Sequence, residues 1–140
     1  CRSGKIRQNP RQSHGRSPAI PSADMKYFNK KTGAEGERLA LEYLLKKGFI
    51  LITKNYSTRF GEIDLIMRDK DITVFVEVKA KKSEDWGTPE EMFTQSKYRK
   101  VKNMGIIYLH GKDTKCRIDM VAVDLFVEPP SLRHYQNVIL

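Results

Sequence analysis

Hydrophobic and polar positions change period several times along this chain, and each change marks an element. From Thr32 onward, Ala34, Glu37, Leu41, Leu44, Leu45 and Gly48 recur at helical spacing, which predicts a first helix that Gly48 closes in a left-handed conformation. Phe49 to Tyr56 is rich in Ile, Leu, Thr and Tyr and leaves no room for another helix, so it reads as a strand. Gly61 to Arg68 sets Ile63, Leu65 and Met67 against Glu62, Asp64 and Ile66, and Ile72 to Ala80 is dense in Val and Ile. A two-residue turn at Asp69-Lys70 would join the two as a hairpin. Thr88-Pro89-Glu90-Glu91 offers a cap, a proline suited to the first helical position and a capping box, starting a second helix that runs past Lys100. Gly105 interrupts that helix at a cost of ~1 kcal/mol and leaves its far end open. Cys116 to Asp124 alternates again as a fourth strand, Pro129-Pro130 breaks the chain, and Val138-Ile139-Leu140 is too short to assign. The order α-β-β-β-α-β predicts an α/β fold, a mixed central sheet flanked by helices in three layers.

Several charges fall where this pattern asks for core. Side chains alternate faces along a strand, so Phe75, Glu77 and Lys79 share one side while Val74, Val76 and Val78 share the other. Pairing Arg68 with Asp71 places Asp64 opposite Phe75, diagonal to Glu77 and on its face, with Cα atoms about 7 to 8 Å apart. A slip of one residue would send Asp64 to the opposite face. Glu37 lies on the apolar stripe of the first helix, whereas Glu35 and Glu42 lie on the other side. On the second helix Lys97 is spaced like Phe93, Val101 and Met104, while Arg99 and Lys102 fall opposite and Lys100 at the edge. An unpaired buried charge is costly, so these groups need a partner, an ion or a wet cleft. The chemistry they suit is phosphodiester hydrolysis. Asp64 and Glu77 would hold a hard divalent cation, Mg²⁺ or Mn²⁺. Lys79 would orient or help deprotonate the attacking water and offset charge on the phosphate, and Glu37 would bind a metal water or position Lys79. The structural alternative, a cross-strand ion pair of Lys79 with Glu77 or Asp64 on a solvated sheet face, fits the pattern equally well.

Composition narrows the setting. With 140 residues there is room for one sizeable core, and 26 Lys and Arg against 17 Asp and Glu give a net charge of +9. That excess suits a polyanionic partner, nucleic acid or an anionic membrane surface. No apolar run approaches the ~20 residues of a membrane helix and no signal-like stretch follows the basic N-terminus, so a cytoplasmic protein without a membrane partner is expected. Residues 1–24 lack aromatics and concentrate Pro, Ser, Gln, Arg and Gly. They are expected to form a basic, disordered leader or a phosphate-gripping arm, ahead of a domain over residues 25–128 and a C-terminal extension over residues 129–140. Cys1 and Cys116 have no metal-ligand or CxxC spacing, which excludes disulfide scaffolds and zinc ribbons. A homodimer is compatible with the sequence, although no heptad or long apolar stripe asks for one.

Taken together, Gly33-Ala34-Glu35-Gly36-Glu37, Gly61-Glu62-Ile63-Asp64-Leu65-Ile66, Val74-Phe75-Val76-Glu77-Val78-Lys79 and Arg117-Ile118-Asp119-Met120-Val121 resemble the YraN family of bacterial proteins, over roughly Lys31 to Asp124. The resemblance implies a restriction-endonuclease-like core, similar to Holliday-junction resolvases, with a metal-dependent nuclease site. In that pattern a helix acid, a strand Asp and a Glu-x-Lys on the next strand correspond to Glu37, Asp64, Glu77 and Lys79. It further implies the backbone carbonyl of Val78 as a metal ligand beside Asp64 and Glu77, Lys97 as a nucleic-acid-binding residue, and DNA before RNA as substrate. Ile63 stands where the wider fold often carries Pro.

Weaker signals sit beside these. Arg117 and Asp119 alternate on the last strand and read as a structural ion pair or as support for a phosphate or metal site. Trp86, next to Gly87, reads as a loop anchor in preference to a base-stacking aromatic. His14, His110 and His134 share no ligand spacing and read as surface residues, Cys116 reads as a small buried hydrophobe, and Gly111-Lys112 lacks the glycine-rich loop of a nucleotide site.

Overall fold

The computed structural model describes residues 22–140. The strand-forming segments assemble into one five-stranded mixed sheet in the order β1 (Ile50–Thr58), β2 (Gly61–Asp69), β3 (Ile72–Lys81), β4 (Cys116–Asp124) and β5 (Ser131–Tyr135). β1, β2 and β3 meander antiparallel, β3 and β4 run parallel, and β5 returns antiparallel to β4. Helix α1 (Ser22–Lys46) covers one face and α2 (Gln95–Leu109), the crossover between the parallel strands, covers the other. This is the expected mixed α/β architecture in three layers, compatible with a restriction-endonuclease-like core. Among the described residues no helix is long and apolar enough to cross a membrane.

Two apolar clusters divide at the sheet. Ala40 and Leu44 of α1 pack on Leu65, Met67, Val74, Val76, Val78, Val121 and Val123, while Val101 and Met104 of α2 pack on Ile66, Phe75, Ile118, Met120 and Ala122. β3 is therefore buried on both faces, which is why its Val-rich run shows little polar alternation. Gly105 does not end α2. It lets the helix approach Phe75, whose ring a Cβ there would meet at 2.8 Å.

Several elements differ from the pattern reading. The buried edge of α1 follows Thr32, Gly36, Ala40 and Leu44, leaving Ala34 and Leu45 exposed. The helix is rotated because Gly36 is its point of closest approach: a Cβ there would lie 2.5 Å from the Cβ of Ala80. The capping box forms, with Glu91 N–H donating to Thr88 Oγ1 and Thr88 N–H to Glu91 Oε1. It closes only a single 3-10 turn, Glu90–Met92. Phe93 then leaves helical geometry to enter the core, and α2 restarts with Thr94 as its N-cap. The hairpin turns at Lys70-Asp71 instead of Asp69-Lys70, because Lys70 takes up the positive φ (58°). Residues 129–140, read as an extension, supply β5, whose one Leu132/His134 alternation after two prolines is too little signal to find. Of the leader, residues 1–21 lie outside the described residues and residues 22–24 open α1.

β5 is held by a polar network inside the α1 layer. Asp119 is fully buried, accepting from Arg117 at 2.9 Å, from Asn137 N–H at 2.9 Å and from His134 at 2.8 Å. Because the Lys47 ammonium can only donate to His134 Nδ1 (2.9 Å), Nε2 carries the hydrogen given to Asp119. Arg117 also reaches Asp69 at 3.0 Å. The Arg117–Asp119 pair is thus the structural ion pair, His134 is an interior residue, and Cys116 is exposed at the strand start.

The Gly36–Ala80 contact yields a stability prediction. Gly36→Ala gains ~1 kcal/mol of helix propensity but forces an overpacked contact costing about 1–3 kcal/mol. The expected net effect is a lower unfolding midpoint. In an Ala80→Gly background the same change should cost less, and strictly additive midpoints in the double-mutant cycle would refute the contact.

Candidate active site

β2 and β3 do not stay paired. Their register runs from Asp69↔Ile72 to Leu65↔Val76 and stops there, although β2 continues to pair with β1 through Ile63 and Gly61. At the parting, Val78 N–H donates to Asp64 Oδ2 at 2.8 Å, so a side chain takes the place of the next ladder bond. An extended residue aims its N–H and C=O at the same neighbouring strand, so the Val78 carbonyl faces this fork as well. The facing of β2 changes here too. Strict alternation would keep Ile63 with Leu65 and Met67 on the α1 side, yet Ile63 packs in the α2-side cluster. Asp64 stands at the crossover.

The true register is shifted by two residues from the expected one, with Ile66 and not Asp64 opposite Phe75. A two-residue shift preserves the face, and it carries Asp64 from a diagonal position to the level of Glu77. Glu77 is 8% exposed, and its Oε2 lies 3.3 Å from Lys79 Nζ. The ion-pair alternative is therefore only partly right: Lys79 pairs with Glu77 along β3 and not across strands, and both are largely buried instead of lying on a solvated face.

Asp64, Glu77 and Glu37 hold their protons more tightly than usual. Burial pushes Asp64 up to about 7, reinforced by the negative charge of Glu77 and opposed by the Val78 hydrogen bond and Lys79. Glu77 is raised by burial against the counterweight of Lys79 and Lys97. Glu37 reaches the same fork from α1 and is also pushed up to about 7, by partial burial, then Asp64, then Glu62. Lys97, read from spacing as inward, is exposed at the rim because Phe93 leaves the helix before it. Its ammonium is lowered first by the charge of Lys79 and then by desolvation. The structure thus brings Glu37, Asp64, Glu77 and Lys79 into one electrostatic neighbourhood, with Lys97 at its edge.

Three contributors escape a reading by motif. Glu62 raises both Glu37 and Asp64, Lys54 partly offsets it at Glu37, and Lys100 adds to the positive charge near Lys97. The alternation that flags Asp64 also flags Glu62, but Lys54 depends on the β1–β2 register. Among the described residues no three His, Cys, Asp or Glu side chains are gathered tightly enough to hold a metal ion alone. Asp64 and Glu77 with the Val78 carbonyl offer hard oxygen donors of the kind Mg²⁺ takes, and burial is the main reason both carboxylates favour the proton.

Comparison with known proteins covers the same stretch. The model of the uncharacterised protein family UPF0102 matches residues 36–123, which include all five of these positions. A UPF0102 protein of Thermodesulfovibrio yellowstonii is 39% identical over 107 residues, 75% of this chain and 92% of the relative. One from Alkaliphilus oremlandii is 39% identical over 115 residues, 79% and 98% of the two chains. A third, from Syntrophomonas wolfei, is 44% identical over 82 residues, 59% and 71%.

The raised acid at the fork predicts a pH-dependent cost. The folded pKa of Asp64 lies above the ordinary aspartate value of 3.8, so its stability contribution is whole below about 3.8 and is lost as pH rises through about 7. Asp64→Asn keeps an acceptor for Val78 N–H and removes the charge. It is expected to stabilise the fold by about 1–3 kcal/mol near pH 8 and to change little near pH 4, as read by thermal unfolding. Equal shifts at both pH values would refute the buried-charge account.

Proposed function

The chain belongs to the UPF0102 family, and from its site we propose that it is a divalent-cation-dependent nuclease that hydrolyses phosphodiester bonds, in DNA before RNA. The observation that supports this most directly is the fork itself, where two carboxylates from neighbouring strands and a lysine are held together at the expense of the sheet ladder. A structural ion pair does not need the ladder to open.

In this reading Asp64, Glu77 and the Val78 carbonyl hold Mg²⁺ or Mn²⁺, which supplies a Lewis acid for the phosphate oxygens. The chain's own residues do the rest. Lys79, fixed by Glu77, turns its remaining N–H groups toward the phosphate and counters the charge that grows on it. Glu37, with a pKa near neutrality, accepts the proton released by the attacking water, and the leaving sugar oxygen takes a proton from solvent water as its bond to phosphorus breaks. Lys97 and Lys100 receive the flanking backbone, a role that needs exposure instead of burial. A non-catalytic nucleic-acid-binding module, which keeps the same residues for structure, is the rival.

Branched, single-stranded and duplex DNA incubated with Mg²⁺ or Mn²⁺ separate the two. Cleavage by the native protein should fall by roughly 10²-fold or more in Glu77→Gln and Lys79→Ala, and vanish with chelator. Binding without cleavage above that of Glu77→Gln would establish the rival. Lys97→Ala is expected to weaken binding across sequences and reduce the salt slope by about one.

A further inference from the structure

Helix α2 carries Lys97, Arg99, Lys100 and Lys102 and no acid, and the tip of the β1–β2 hairpin, Thr58 to Gly61, packs against it. Contacts fix where that tip lies. Thr58 Oγ1 donates to Met104 Sδ at 3.2 Å and accepts from Phe60 N–H at 3.0 Å, and a Cβ on Gly61 would meet Met104 Cγ at 3.5 Å. Lys97, Lys100 and Met104 follow one another at spacings of three and four, so they share one side of the helix over a rise of ~10 Å. Lys97 stands at the fork end of this row, where the charge of Lys79 lowers its ammonium, and the hairpin tip stands at the other end. At the tip Arg59 and Phe60 are both exposed, Phe60 at 61%, with the guanidinium over the ring at 5.0 Å from its centroid. Among the described residues no salt bridge neutralises Arg59, Lys97 or Lys100. The nearest acid in sequence, Glu62, faces away: Gly61 and Ile63 pack toward α2, and Glu62 between them acts on Glu37 of α1 instead. Trp86, expected from sequence to anchor its loop, is by contrast 78% exposed, and the charges near it, Glu84, Asp85, Glu90 and Glu91, are acidic, which disfavours a polyanion there.

We propose that Arg59 at the hairpin tip is a phosphate contact which, with Lys97 and Lys100, forms a track that leads a nucleic-acid backbone from the carboxylate fork along α2. The occupant follows from the charge. A row of cations without acid partners, ~10 Å long, matches a strand that presents a phosphate about every 3.4 Å. The row also begins at the fork, so a strand lying on it has its phosphates in line with the site. Phe60 is a positioning residue: its ring face holds the planar guanidinium, while the bond from Thr58 to Met104 ties the tip to the helix. This inference rests on the nucleic-acid reading of the site and adds the path of the strand across the surface.

Binding of labelled single-stranded and duplex DNA, measured with chelator over a salt series, tests the track. Arg59→Ala should weaken binding roughly 10-fold and reduce the salt slope by about one, and Arg59→Lys should restore the slope. Phe60→Leu, which keeps the apolar bulk and removes the ring face, should cost about 2- to 5-fold, while Phe60→Tyr should bind as the native protein does. Arg68→Gln removes the same charge from the far end of β2, about 23 Å from Gly61, and should leave affinity and slope unchanged. Native affinity and slope in Arg59→Ala, or an equal loss in Arg68→Gln, overturns the track and leaves the nuclease reading standing. Phe60→Leu that binds as the native protein does overturns the positioning role of the ring. Native protein that binds no nucleic acid at low salt overturns both the track and the reading on which it rests.

Discussion

The hydrogen bond from Val78 N–H to Asp64 Oδ2 is the constraint on which the site depends. A sheet normally satisfies each interior N–H with a carbonyl of the next strand, and leaving one buried and unpaired costs about 1–3 kcal/mol. Here the ladder between β2 and β3 stops at Leu65↔Val76, and a carboxylate takes over. The exchange lets β2 twist toward α2, seen in the change of side of Ile63, without an orphaned donor. It also holds one oxygen of Asp64 in place and frees the other for the fork. Site and sheet defect are one feature.

The energetic balance of this arrangement runs against stability. Asp64 and Glu77 would each be easier to bury as neutral residues, and Glu37 adds a third negative group from the opposite layer. Lys79 offsets part of this, but its attraction for Glu77 does not outweigh burial, since Glu77 remains raised. What permits the cost is the core on either side. Val74, Val76 and Val78 face α1 and Phe75 faces α2, each almost completely removed from water. A well-packed Val, Leu or Phe contributes about 1.5–3 kcal/mol, so one strained fork is tolerated in a strand buried on both faces. Gly36 sets the geometry on the α1 side, because the helix can bring Glu37 to the fork only where it meets Ala80 without a side chain between them.

Much of this was legible in the sequence, and the misses have a common cause. Strands β2, β3 and β4 were found because dense β-branched runs and period-2 alternation are local signals. The convergence of Asp64 with Glu77 survived a wrong turn because the error was an even number of residues. The rotation of α1 could not be read from its leucines, since its closest contact is made by Gly36, which leaves no hydrophobic mark. The break at Phe93 was hidden because Thr88 to Glu91 carries a sound capping box, and only the demand of the core for a ring there interrupts the helix. β5 and the interior place of His134 depend on Asp119, a partner far away in sequence that no local pattern names.

The sign of the perturbation separates structural from chemical charge in this protein. Asp119 is fully buried, and burial alone would raise its pKa, yet the hydrogen bonds from His134, Arg117 and Asn137 leave it lowered. Glu90 is held down to about 2, chiefly by its bond to Arg133, which also grips Asp124. Both are acids whose surroundings were built to keep them ionised, and both tie β5 or the 3-10 turn to the rest of the fold. Asp64 accepts one backbone hydrogen bond and Glu77 faces Lys79, fewer donors than Asp119 receives, and burial leaves both raised. A chain that supplies three donors to one carboxylate on β4 has the means to satisfy two more on β2 and β3. That it leaves them raised by burial, beside Lys79 and with Lys97 near, is the arrangement from which the proposed cation and nucleic-acid roles are argued.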